Sequence, residues 1–339
     1  MSFLQILWFI LIGVLFAGFF FLDGFDYGVG MAVGTLAHNE GERTQLIRSI
    51  GPVWDGNEVW LITAGGAMFA SFPYWYATLF SGYYLILLLI LVSLILRGVS
   101  FEFRAKSSDS KKPIWDRIMV WSSFFAPFLF GVMFISMIKG MPIDAAGNIH
   151  AHFFDYFNWF SIVGGIALAL LTYLHGLNYI TLKTKGPISE RSQNYAQALY
   201  WVLYVGEVVF ALLLLFQTDF LAVHPIATLA CLVLIVGFSV WAHISTFKNK
   251  QGQAFTASGL TLIALVALIF CGLFPRVMIS SISSKFDLMI QSASSSNYTL
   301  IVMTIATVIL VPCVLAYTAW AYWIFRKRIA MPRVGEPNY

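Results

Sequence analysis

Four acidic side chains lie within or beside long apolar runs: Asp23 and Asp26 in FFFLDGFDYGVGM, Asp55 and Glu58 in PVWDGNEVWLITAGGAMF. A carboxylate in bilayer hydrocarbon costs roughly 2.5–3.5 kcal/mol on insertion scales. Acids in such segments therefore face a protein interior or an aqueous path, where they move ions or protons or are paired structurally. Each pair is spaced i,i+3, which on a helix turns both members toward one face. Closely spaced carboxylates in a low dielectric cannot all ionise easily, and this suits groups that take up and pass on protons. The competing reading is that the acids cap a helix start and pair with Arg43, Arg48 or Arg97. The residues alone leave both readings open.

The elements that hold these acids are expected to be membrane helices. The 339-residue chain is 59% hydrophobic and 11% charged, whereas a soluble domain carries about 25% charged residues. Apolar runs of about 20 residues suit helices crossing about 30 Å of hydrocarbon, not barrel strands. The chain is thus predicted to be an all-α integral membrane protein of about nine transmembrane helices, at 3–34, 54–72, 75–97, 117–138, 157–182, 198–217, 222–245, 255–274 and 298–325. Placing the N-terminus outside and the C-terminus in the cytoplasm puts the loop charges almost entirely on one side. Of the 20 Lys and Arg residues, only Lys139, Arg276 and Lys285 fall outside that inner group, which runs from Arg43 through Arg97 and Arg104 to Arg333. A single polytopic membrane domain, 1–339, is expected. The helix count allows two four-helix bundles, 1–140 and 155–275, with a peripheral helix at 298–325.

Helix rise then sets the depth of the acids. Asp23 comes about 20 residues into the first span, ~30 Å along at 1.5 Å per residue, which is near the inner boundary. Asp26 lies one turn further in, and Asp55 and Glu58 open the second span from that same side. The end of the third span, LILRGVSFEFRAK, brings Arg97, Glu102 and Arg104 to this level. Arg97 is a charge partner for an aspartate. Glu102 is either an acid that collects protons or an incidental one at a basic helix end. Glu207, in YVGEVVF, is an acid near the middle of a span and reads as an interhelical contact or a functional site. The N-terminal run has no basic leader or small-residue cleavage site, so it is not read as a signal peptide. Cys231, Cys271 and Cys313 stand singly and form no CxxC or CxxCH motif, and no helix offers an axial histidine pair. No catalytic, metal-binding or haem-binding residue is therefore assigned to this chain. The net charge of +4 reflects the inner loops and points to anionic membrane lipid, not nucleic acid.

The ordered motifs LDGFDYGVGM, IGPVWDGNEVWLITAGGAMFASFPYWYATLFSGYY and LRGVSFEFR resemble subunit II of the cytochrome bd-type quinol oxidases. GMPIDAAGNIHAH, LTYLHGLNYITLKT, LFPRVMISS and YTAWAYWIFRKR extend the resemblance over essentially the whole chain. It implies a bacterial cytoplasmic-membrane complex that oxidises a quinol and reduces O2 to water, with cytoplasmic proton uptake and no proton pumping. In that family two b-type haems and one d-type haem belong to the partner, subunit I, and small single-helix accessory subunits attach. The resemblance associates acids at the positions of Asp26, Asp55 and Glu102 with a proton route toward subunit I, and Asp23 and Glu58 share those motifs. Trp54 and Trp60 flank the acids and are read as packing residues or as contacts for a lipid, a structural quinone or oxygen. Two other readings stand beside this one. A proton-coupled secondary transporter is suggested by intramembrane acids and Gly-interrupted helices, though the acids gather at the inner boundary and no inverted repeat is apparent. A scaffolding subunit with purely structural acids is the other.

Overall fold

The computed structural model describes residues 1–331, so Arg333 lies outside the described residues. The chain is built from helices: α1 (Phe3–Thr35), α2 (Glu40–Ile50), α3 (Trp54–Ser71), α4 (Pro73–Gly82), α5 (Tyr84–Lys106), α6 (Lys112–Lys139), α7 (Phe153–Tyr156), α8 (Trp159–Lys183), α9 (Pro187–Gln217), α10 (Phe220–Val223), α11 (Pro225–Phe247), α12 (Gln251–Leu273), α13 (Ile290–Ala293) and α14 (Asn297–Ile324). Among the described residues, 8 helices are long and apolar enough to cross a membrane: α1, α5, α6, α8, α9, α11, α12 and α14. Helix α3 has 18 residues but carries Asp55, Asn57 and Glu58 in its first turns, which lowers its hydropathy.

Three boundaries differ from the sequence expectation. The predicted span 75–97 is interrupted at Tyr83, giving α4 and α5. Pro73 starts α4 because it lacks an N–H and suits a first-turn position. The carbonyl of Gly82, at the other end of α4, accepts a hydrogen bond from the Tyr156 hydroxyl. Helix α5 then runs on to Lys106, so Arg97, Glu102 and Arg104 are helical and Arg97 is a buried side chain instead of a loop charge. Helix α9 begins at Pro187, well before the expected 198, because its polar first turns extend past the apolar run.

Helix α1 is the central element and packs against α3, α6, α8 and α12. Its start is fixed by a capping box in which Ser2 accepts from the Gln5 backbone and the Gln5 side chain accepts from the Ser2 backbone. Phe16, Phe19 and Phe20 are buried against Phe130 and Phe134 of α6, mostly edge to face. At Gly28 the backbone of α1 comes so close to α8 that a Cβ would collide with the Thr172 carbonyl and with Gly176. This approach holds the Asp26–Tyr27 turn of α1 deep inside the molecule.

One end of the molecule is closed by the loops 140–152 and 275–296. A short antiparallel pair, β1 (Arg276–Met278) and β2 (Leu288–Met289), lies there. Met141 joins it by donating to the Ile279 carbonyl at 2.9 Å and accepting from the Ser281 N–H at 2.8 Å. Arg276 makes a two-armed contact with Asp219, at 2.7 and 2.8 Å. The opposite end holds α2 and the α5–α6 connection. Helix α14 is exposed along nearly its full length, with Leu300 its buried residue.

Candidate functional site

Three helices converge on one buried ionic group. Asp23, Asp26 and Tyr27 come from α1, Asn57 and Glu58 from α3, and Arg97 from α5. The Arg97 side chain is fully buried, and its Nη2 donates to Asp23 Oδ1 at 2.7 Å and to Glu58 Oε1 at 2.6 Å. The guanidinium carbon lies 4.2 Å from the centre of the Tyr27 ring, a cation–π contact. One cation thus bridges two carboxylates of different helices. Its flat donor face and low hydration suit this better than an ammonium would.

Asp26 is equally buried but is held differently. Asn57 Nδ2 donates to Asp26 Oδ2 at 2.7 Å and to the Leu22 carbonyl at 3.1 Å. The Tyr322 hydroxyl of α14 donates to Asn57 Oδ1 at 2.8 Å. Asp23 Oδ2, Asp26 Oδ1, the Tyr27 hydroxyl and Arg97 Nε and Nη1 have no hydrogen-bond partner among the described residues. Two carboxyls therefore share one guanidinium, with a third buried carboxyl beside them on the same helix as Asp23, in a space with unused donors and acceptors. Such a group is chemically able to accept and release a proton, because its acids outnumber its cation.

The structure separates the other acids from this group. Asp55 is exposed although it stands one turn from Glu58. A spacing of i,i+3 leaves two side chains about 60° apart around the axis, enough to straddle the edge of a buried face, so the expectation of a single shared face is corrected here. Glu102 is exposed and pairs with Lys106 at 3.4 Å. Trp54 packs on Phe101, with ring centres 5.0 Å apart, and lies over Gly98. This contact sets the start of α3, with Asp55, against the end of α5, with Glu102. Trp60 is partly buried over Gly18 of α1, where any side chain on the glycine would strike the indole.

Sequence reasoning did not single out Asn57 and Tyr322, nor a second ionic group beside α2. Arg104 there contacts Asp116 at 2.5 Å and Glu40 at 2.9 Å, and Lys112 reaches Glu40 at 3.3 Å. Arg191 pairs with Glu42 at 3.0 Å and also holds the Leu36 carbonyl. The Arg191 hydrogen bond pulls the Glu42 carboxyl below its ordinary range. The position of Asn57 inside WDGNEVW was the available signal; Tyr322, 265 residues away, offered none. Both ring nitrogens of the buried His175 are engaged, by Ser258 at 2.8 Å and the Phe21 carbonyl at 2.9 Å, so its ring is committed to packing. Glu207 lines an apolar cavity of about 660 Å³ bordered by Leu171, Trp201 and Leu265.

Residues 4–325 match the family model of the cytochrome bd terminal oxidase subunit II. The chain belongs to that family. It is 48% identical over 331 residues to the cytochrome bd ubiquinol oxidase subunit 2 of Bacillus subtilis, covering 97% of this chain and 98% of that one. It is 34% identical over 360 residues to the cytochrome bd-I ubiquinol oxidase subunit 2 of Escherichia coli, covering 96% and 95% of the two chains. Its fold is similar to that of a chain in the structure of the bd oxidase from Geobacillus thermodenitrificans, with a TM-score of 0.77 at 13% identity over 96% and 99% of the two chains. As a member of the cytochrome bd subunit II family, the chain is a component of a quinol oxidase complex and a multi-pass protein of a bacterial cytoplasmic membrane. Membership in a subunit II family implies a subunit I partner, and it favours the oxidase reading over a secondary transporter.

Proposed function

We propose that this chain forms the cytoplasmic proton inlet of its oxidase complex. The observation that carries the reading is the buried group in which Asp23 and Glu58 share Arg97 while Asp26 is held by Asn57. Asp55 and Glu102, exposed at the start of α3 and the end of α5, are the outer members that collect protons. Asp26 and Asp23 are the inner members, and their free oxygens give a proton a place to move onward toward subunit I. Arg97 and Glu58 hold the electrostatics of the passage. Trp54 and Trp60 pack its walls, and the same face is where a lipid, a structural quinone or oxygen would meet the chain.

The N-terminus lies outside and the C-terminus in the cytoplasm, with α3 crossing as the second of nine spans, supported by the distribution of Lys and Arg along the loops. The single domain comprises bundles 1–140 and 155–275 with α14 as a peripheral helix. Subunit I carries two b-type haems and one d-type haem, and the complex oxidises a quinol and reduces O2 to water without pumping. Small single-helix subunits complete it. Asp55→Asn in the whole complex tests the inlet: oxygen reduction slows while haem content, read from the visible spectrum, is unchanged. Loss of haem or of assembly with Asp55→Asn instead would make the acid structural and overturn the inlet.

A further inference from the structure

Tyr322 belongs to a helix that is exposed along almost its whole length, yet its hydroxyl reaches the buried amide of Asn57 at 2.8 Å. An asparagine amide has an accepting oxygen and a donating nitrogen. The Leu22 carbonyl can only accept, so Asn57 Nδ2 must face it, at 3.1 Å. The oxygen Oδ1 then faces Tyr322, whose hydroxyl must donate. With both ends of the amide fixed, the second hydrogen of Nδ2 is aimed at Asp26 Oδ2, 2.7 Å away. We infer that Tyr322 is a positioning residue for the Asp26 carboxyl, acting through the Asn57 amide. Without the hydroxyl, Oδ1 loses its donor and the amide is held from its Nδ2 side alone, so its hydrogen bond to Asp26 is less firmly aimed. Helix α14 thereby does more than border the bundle: it sets the orientation of an acid inside it. The effect on turnover rests on the proton-inlet reading; the effect on the carboxyl does not.

The test uses the complete, haem-loaded complex with Tyr322→Phe, Asp26→Asn and the double variant. Infrared difference spectra identify the Asp26 carboxyl band as the one that Asp26→Asn removes. Tyr322→Phe should move that band, keep haem content, and slow oxygen reduction about three- to tenfold, the range set by one net hydrogen bond. In the Asp26→Asn background it should have no further effect, since the two residues act as one unit. An unmoved band, or equal slowing in both backgrounds, overturns the positioning role whatever Asp26→Asn does. A moved band combined with full turnover in Asp26→Asn leaves the positioning role standing and refutes the inlet.

Discussion

At Arg97 two carboxylates converge on a single guanidinium nitrogen that has no contact with solvent. Removing one partner of a buried ion pair costs about 3–5 kcal/mol, because the remaining charge is left desolvated. Arg97→Met should therefore lower the yield of assembled complex and its thermal midpoint sharply. Arg97→Lys should lie between, since an ammonium keeps the charge but is more strongly hydrated and lacks the planar group that lies over the Tyr27 ring. Purification yield and thermal melting of the complex check both, and equal stability of Arg97→Met with the parent would refute the pairing's structural weight. At this scale the sequence was only partly legible. The four acids and Arg97 stand out as charges in apolar surroundings. Which member of an i,i+3 pair turns inward depends on a rotation of about 60° that spacing does not set, so Asp55 and Glu58 read alike while only Glu58 reaches Arg97.

Helix packing depends on close backbone approach at a few positions. Because a Cβ on Gly28 would strike the Thr172 carbonyl, Gly28→Val must push α1 from α8. Overpacking of this kind costs about 1–3 kcal/mol, and the expected outcome is a lower thermal midpoint with altered turnover, as Asp26 and Tyr27 shift with the helix. The connection α2 makes a separate prediction. Arg191 holds the Glu42 carboxyl below its ordinary range, so the folded state binds that proton less readily than the unfolded chain. The stabilisation is present above the unfolded value of about 4.3 and is lost as pH falls through the lower folded value. Glu42→Gln should remove this part of the acid sensitivity in melting curves taken between neutral and acid pH, while an unchanged acid slope would contradict the pairing. Apolar runs of helical length made most of these elements visible beforehand. The break between α4 and α5 was not visible, since the Tyr156 of α7 that meets the Gly82 carbonyl there is 74 residues away. The Arg104, Asp116 and Glu40 group was hidden for the same reason: its members become neighbours only after α2, α5 and α6 pack.

Across the whole molecule, charge distribution and burial give the chain two unlike ends. Under the proposed orientation, a cysteine at Lys285 should react with a membrane-impermeant thiol reagent from outside, and one at Lys250 only after the membrane is opened. The reverse pattern would invert the inlet and place the acids on the wrong side. The fold class was legible from composition and run length, because every backbone polar group in hydrocarbon must be satisfied within a helix. The link from α14 to the buried acids was not, as it joins Tyr322 to Asn57 across 265 residues. As proposed above, this subunit passes protons to its partner. Oxygen consumption by the intact complex carrying Asp26→Asn, normalised to haem content, tests that claim most directly. The account predicts a loss of about a hundredfold or more, the scale of a positioned proton-transfer side chain, with the haem spectrum unchanged. Full turnover with normal haem content would contradict it.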